Sequence, residues 1–350
     1  MLDEIFTLSL ATAMAVLFTW AFKKLPGEDW QILACVPGSK GVDGMWNGIN
    51  LTYYGLFNAF AYLFAVVMFL IMTGALGMTL SFALALLAPV LIVCMWAARI
   101  IARLVEKKPH TFSVGAAAFA GIILAPAMML SANITMGRWL AFQIPVVEVM
   151  SAMFIAYAFG EGIGRLACIS FGCCYGRPLD SCPPIIKKLF RQRHFVFRGE
   201  TKKIAYAHQL EGRAVVPIQA LTAVLYSGTG LLGFYFFLKG YASASLMITL
   251  LVTQIWRFLS EFLRADYRGE NRVSAYQVMT LLAVAYTLAV VALTEKTAGM
   301  MPDLLTGITA LWEPGLLIFL GILWVVAFLY TGKSSVTSSF IDIQVVKKNI

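Results

Sequence analysis

Four charged residues sit in otherwise apolar stretches of this chain: Glu161 and Arg165 in one, Arg257 and Glu261 in another. A charge inside a stretch long enough to cross a bilayer is costly, so by default it marks a functional interior. Each pair is four residues apart and so shares one helix face, where its members can neutralise each other. The other reading is anion binding. Arg offers planar, bidentate, permanently charged donors suited to a phosphate, and both pairs stand at the ends of their stretches that lead into basic loops. Gly160, Gly162 and Gly164 interleave the first pair and allow close approach of a helix or a ligand. Glu148 is a further carboxylate in the same stretch.

The segments around these residues carry short motifs. Residues 164 to 178 read Gly-Arg-Leu-Ala-Cys-Ile-Ser-Phe-Gly-Cys-Cys-Tyr-Gly-Arg-Pro, Pro217-Ile218-Gln219 follows, and Arg257, Glu261 and Arg264 close the series, with Arg268 beyond. Upstream stands Tyr53-Tyr54-Gly55-Leu56. In type and order these resemble the prolipoprotein diacylglyceryl transferase family, whose members carry Gly-Arg-x-Gly-Asn, then Pro-x-Gln, then an Arg-x3-Glu-Phe-x-Arg helix. The resemblance covers about residues 50 to 295. It implies transfer of a diacylglyceryl group from phosphatidylglycerol, with glycerol phosphate as leaving group. On that reading Arg165 and Arg257 hold phosphate, Glu261 orients an arginine, and Tyr54 donates a hydrogen bond. Gln219, Arg264 and Arg268 complete the expected substrate contacts.

Departures from the family pattern bear on the second substrate. Where the family has Phe-His-Gly-Gly, this chain has Phe112-Ser113-Val114-Gly115, with His110 just upstream. Cys168 replaces the motif Asn, Val216 the His before Pro-x-Gln, and Leu221-Thr222 the Tyr-Glu after it. A thiol acceptor needs an activating base, so these losses predict a paralogue that handles an anionic glycerophospholipid but uses another, unknown acceptor. Glu161 is the best remaining base, with Glu261 the other candidate for proton transfer. The alternatives are an authentic prolipoprotein enzyme with a relocated base, and a non-catalytic phospholipid-binding protein or transporter.

The elements that position these residues follow from composition. Of 350 residues 60% are hydrophobic and 13% charged, with a mean hydropathy of +0.80; a soluble chain is typically about one quarter charged. A soluble enzyme is excluded. The fold class is an all-α, polytopic integral membrane protein, with nine spans at 5–22, 51–73, 76–98, 112–131, 146–169, 215–238, 246–263, 276–294 and 311–330. The resemblance makes seven of them a core, with the first and last as additions. The whole chain reads as one membrane domain: an extra helix and loop over 1–49, the core over 50–295, and an extra helix with a polar, mobile tail over 296–350.

Net charge is +9, and in a membrane protein this excess reports topology and anionic lipid, not nucleic acid. Arg165 and Arg257 lie within spans, and Arg138, Lys239 and Lys296 fall on one side. The remaining 22 of the 27 Lys and Arg residues fall on the side of the motifs, which the positive-inside rule predicts to be cytoplasmic in a bacterial inner membrane. A cysteine replacing Lys202, in the basic cap over 172–213, is therefore expected to be shielded from an impermeant thiol reagent in intact cells. Cys173, Cys174 and Cys182 share that cap with His194 and His208, but adjacent cysteines lack the C-x2-C spacing of a zinc site. No metal and no cofactor is expected.

Overall fold

The computed structural model of the protein describes residues 1–106, 114–135, 143–265, 274–294 and 301–350. Nine of its helices are long and apolar enough to cross a membrane, among the described residues. These are α1 (Leu2–Lys24), α2 (Tyr53–Ala75), α3 (Leu80–Glu106), α4 (Val114–Thr135), α5 (Val146–Phe171), α8 (Ile218–Leu238), α9 (Ala242–Ser260), α10 (Ala275–Leu293) and α12 (Pro314–Gly332). Each matches an expected span with ends shifted by a few residues. Among the described residues three short helices lie outside them: α6 (Pro184–Phe190) and α7 (Lys203–His208) in the basic cap, and α11 (Leu304–Thr309) before α12.

Helix α5 is the axis of the bundle, packed by α2, α8 and α9. Most of its surface is buried against protein, which is why it can carry Glu148, Glu161 and Arg165 away from lipid. Its glycines serve the packing: Gly160 lies against Ala61 and Ala65 of α2, and Gly162 against Ser227 of α8. The sidedness expected from alternation is realised. Lys239, after α8, bonds Glu4 at 2.5 Å and Asp3 at 3.2 Å, placing that loop beside the N-terminus. The Asp303 amide donates to the Ala75 carbonyl at 2.9 Å, bringing the segment before α12 to the same side.

On the motif side the all-α bundle also carries a small sheet. Strands β1 (Ile32–Lys40), β2 (Trp46–Thr52) and β5 (Lys333–Ile341) form an antiparallel sheet in the order β1-β2-β5. The tail from Lys333, expected to be mobile, is thus a strand paired to a segment nearly three hundred residues away. Asn50 fixes the pairing: it is buried, donates to Thr337 Oγ1 at 3.2 Å and accepts from Ser339 Oγ at 2.6 Å. Strand β2 runs directly into α2, where Thr52 caps the helix and its hydroxyl donates to the Gly332 carbonyl at 2.9 Å. At this crossing a Cβ on Gly55 would overlap the backbone of Gly332. The glycine of the Tyr-Tyr-Gly-Leu motif is therefore required by contact with α12, and the same crossing places Tyr54.

The basic cap is a packed structure with its own short strands, β3 (Phe195–Val196) and β4 (Ala214–Val215). Lys202 is wholly buried beneath it. Its Nζ donates to the Ser170 carbonyl at 2.6 Å and the Leu25 carbonyl at 3.3 Å, satisfying groups left open where α5 and α1 end. Burial pushes its pKa down to about 8, partly opposed by Glu28. A cysteine at this position would be unreactive from either side of a membrane, so the labelling expectation must move to an exposed neighbour such as Lys188.

Candidate functional site

The motif segments following α5 and α9 are stitched together by backbone hydrogen bonds. Arg177 N–H donates to the Leu263 carbonyl at 2.9 Å, and Ala265 N–H to the Tyr175 carbonyl at 3.1 Å, around an antiparallel bridge between Gly176 and Arg264. From the start of α8, Gln219 donates to the Cys173 carbonyl at 2.8 Å. Tyr54 packs its ring against Phe171, centroids 5.4 Å apart. Four motifs distant in sequence thus meet at one end of the bundle. Arg268 lies outside the described residues.

The two Arg/Glu pairs behave differently. Arg165 and Glu161 form an ion pair along α5, with side chains 14% and 8% exposed, and Arg165 Nε is buried without a hydrogen-bond partner. Arg257 forms no ion pair with Glu261 among the described residues. Helix α9 ends at Ser260 and Glu261 opens a 3-10 turn, so the four-residue spacing no longer stacks the side chains. Arg257 Nη1 instead donates to the Tyr157 hydroxyl at 3.3 Å. Its guanidinium also lies against Gly115, where any Cβ would overlap Nη2. Both guanidiniums lie within electrostatic reach of the Tyr226 hydroxyl, which is fixed by donation to the Thr253 carbonyl at 2.9 Å. The Tyr226 ring lies 6.0 Å from that of Tyr157, so Arg257 of α9 meets a tyrosine pair built from α5 and α8.

Beside Arg257 opens an apolar cavity of about 290 Å³ between α2, α3, α4 and α5. Phe69, Val90, Ile122 and Met153 are among its walls, and Tyr62 and Tyr157 also line it. Tyr157 therefore belongs to both environments: its ring lines the apolar space while its hydroxyl accepts from Arg257. A guanidinium bonded to a tyrosine of its wall thus stands at the edge of the apolar chamber. The family model for prolipoprotein diacylglyceryl transferase matches residues 45–293.

The chain belongs to the prolipoprotein diacylglyceryl transferase family. It is thus a membrane transferase of the diacylglyceryl type, and the match leaves α1 and α12 outside, as the motifs implied. No curated protein matches the chain. Of the family-like residues, Arg165 pairs with Glu161 within α5, Arg257 contacts Tyr157, and Tyr54 packs on Phe171 at the end of α5. Gln219 spends its amide on the loop backbone, and Glu261 lies within electrostatic reach of Arg257. Arg264 lies close enough to Cys174 to act on it electrostatically.

At the position where this family member replaces the motif Asn, Cys168 gathers two further thiols. The sulfurs of Cys168, Cys173 and Cys174 all lie within 4.8 Å of one another. Gly172 ends α5 in the left-handed region at φ 71, and Cys174 takes φ 55, rare for a residue with a side chain. These two turns fold the loop back onto the helix. Cys182 and the histidines play no part: Cys182 packs with Leu179, Phe190 and Val216, His194 contacts backbone carbonyls, and His208 bonds Tyr175. The expected grouping of Cys173 and Cys174 with Cys182 and the histidines gives way to one with Cys168, and Tyr157 was not among the expected site residues. The signal for Tyr157 was present, since 157, 161 and 165 repeat at the spacing of one helix face.

Proposed function

We propose that this family member acts on an anionic glycerophospholipid such as phosphatidylglycerol and transfers its diacylglyceryl group to an acceptor other than a prolipoprotein cysteine. Tyr157 carries the reading, because it joins the Arg257 guanidinium to the apolar cavity. The phosphate sits between Arg165 and Arg257, with one acyl chain in the cavity and Tyr54 bordering the reacting end. The acceptor's nucleophilic atom forms a bond to the terminal glycerol carbon as the carbon–oxygen bond to phosphate breaks. Glycerol phosphate departs with the bonding electrons, and the acceptor's proton passes to a base. Fixed guanidiniums stabilise the charge gathering on that phosphate. Glu161, engaged by Arg165, orients it, and Glu261 is the better placed proton acceptor.

Purified protein in liposomes, given phosphatidylglycerol labelled in its headgroup and a membrane extract as acceptor source, should release labelled glycerol phosphate, and the Arg257→Lys variant should not. Lipid binding without release would make the chain a binding protein or transporter. Modification of a lipobox-cysteine peptide would restore the prolipoprotein acceptor. We also propose an inner-membrane location with the motif side facing the cytoplasm, from the weight of Lys and Arg there. With the native loop cysteines changed to serine, Lys188→Cys should resist an impermeant thiol reagent in intact cells; labelling there would turn the site outward.

A further inference from the structure

We propose that Cys168, Cys173 and Cys174 form a binding site for one thiophilic d10 metal ion, Zn2+ or Cu+. Three sulfur donors without a neighbouring carboxylate or imidazole ligand select soft ions. At a metal–sulfur distance near 2.3 Å, three sulfurs around one ion stand about 3.8 Å apart; those here are already within 4.8 Å, so binding requires only a small contraction. All three cysteines are free thiols.

The backbone supports the same reading. Adjacent side chains in extended backbone point to opposite faces, yet Cys173 and Cys174 both reach Cys168. That requires the left-handed conformation of Cys174, which costs energy in a residue with a Cβ. Gln219 clamps the Cys173 carbonyl, while its own Oε1 is buried with no hydrogen-bond partner, so the residue that anchors the loop carries an oxygen the fold leaves unused. Three thiolates around a divalent ion leave one negative charge. Arg264 and Arg165 both lie within electrostatic reach of Cys174 to offset it. Three protein ligands also leave a fourth position open on Zn2+.

The test uses the full-length protein in nanodiscs, stripped by chelator under thiol reductant and then supplied with Zn2+ or buffered Cu+. After desalting, metal content should approach one equivalent of one of the two ions. It should fall about tenfold in Cys168→Ser and Cys174→Ser and stay unchanged in Cys182→Ser. Failure to retain either ion, or retention in the two variants equal to that of the unmodified protein, overturns the proposal. Should the variants misfold, the unmodified protein supplies the second measurement: metal loading should slow alkylation of Cys168, Cys173 and Cys174 about tenfold and leave Cys35 unchanged. Equal alkylation rates with and without metal overturn it. No lipid turnover enters either readout, so the metal site and the donor assignment fail separately.

Discussion

The two Arg/Glu pairs have the same spacing and different fates. In α5 the helix continues through both members, and Glu161 and Arg165 close on each other. In α9 it ends between them, and Arg257 turns to Tyr157, Gly115 and the cavity. The comparison teaches that a four-residue interval specifies an ion pair only while the helix runs unbroken. Where a helix stops, the same interval delivers a cation to whatever lies opposite.

The largest effect should come from Arg257→Lys. An ammonium keeps the charge but loses the planar fork, and glycerol phosphate release should fall by about a hundredfold or more, the size expected for losing a charge-stabilising donor. Near-normal turnover would return Arg257 to a structural role. The next experiment separates the pairs by stability. Glu161→Gln strands a buried guanidinium and should cost about 3 kcal/mol in detergent unfolding, whereas Glu261→Gln should change stability by less than about 0.5 kcal/mol. Equal costs would mean that both pairs are closed in the folded protein.

Smaller effects sharpen the Arg257 side. Gly115→Ala places a methyl group where the guanidinium lies and should lower turnover about tenfold with little loss of stability, as displacement of a catalytic group by about 1 Å can cost more than this. Tyr157→Phe keeps the cavity wall and removes one hydrogen bond to a charged group, and should cost about tenfold or less in turnover. A rise in KM alone would restrict Tyr157 to donor binding.

The smallest effect contrasts the site with the cap that covers its flank. Because burial lowers the Lys202 pKa from 10.5 to about 8, the opened cap binds more protons than the closed one between these values. Closure should therefore strengthen as pH rises through that window, by up to about tenfold per pH unit. Hydrogen-exchange protection factors for the cap, corrected for intrinsic rates, should show this rise and lose it in Lys202→Met.

The sequence by itself determined the membrane class, the nine spans, the alternation of sides and the family, because these depend on apolar run length, loop charge and motif order, all of which are local. The order of the motifs also pointed to the segments after α5 and α9, the start of α8 and the turn at Tyr54, which meet at one end of the bundle. The tertiary structure alone decided which pair closed, because the end of α9 at Ser260 and the proximity of Gly115 are set by packing between helices. It likewise decided that the tail becomes a strand, because β5 lacks a partner until β2 is folded beside it. The thiol cluster belongs to the same class. Gly172 is an ordinary left-handed helix end, but nothing in the sequence declares the same turn at Cys174, and only the chain reversal the two make brings adjacent cysteines onto Cys168.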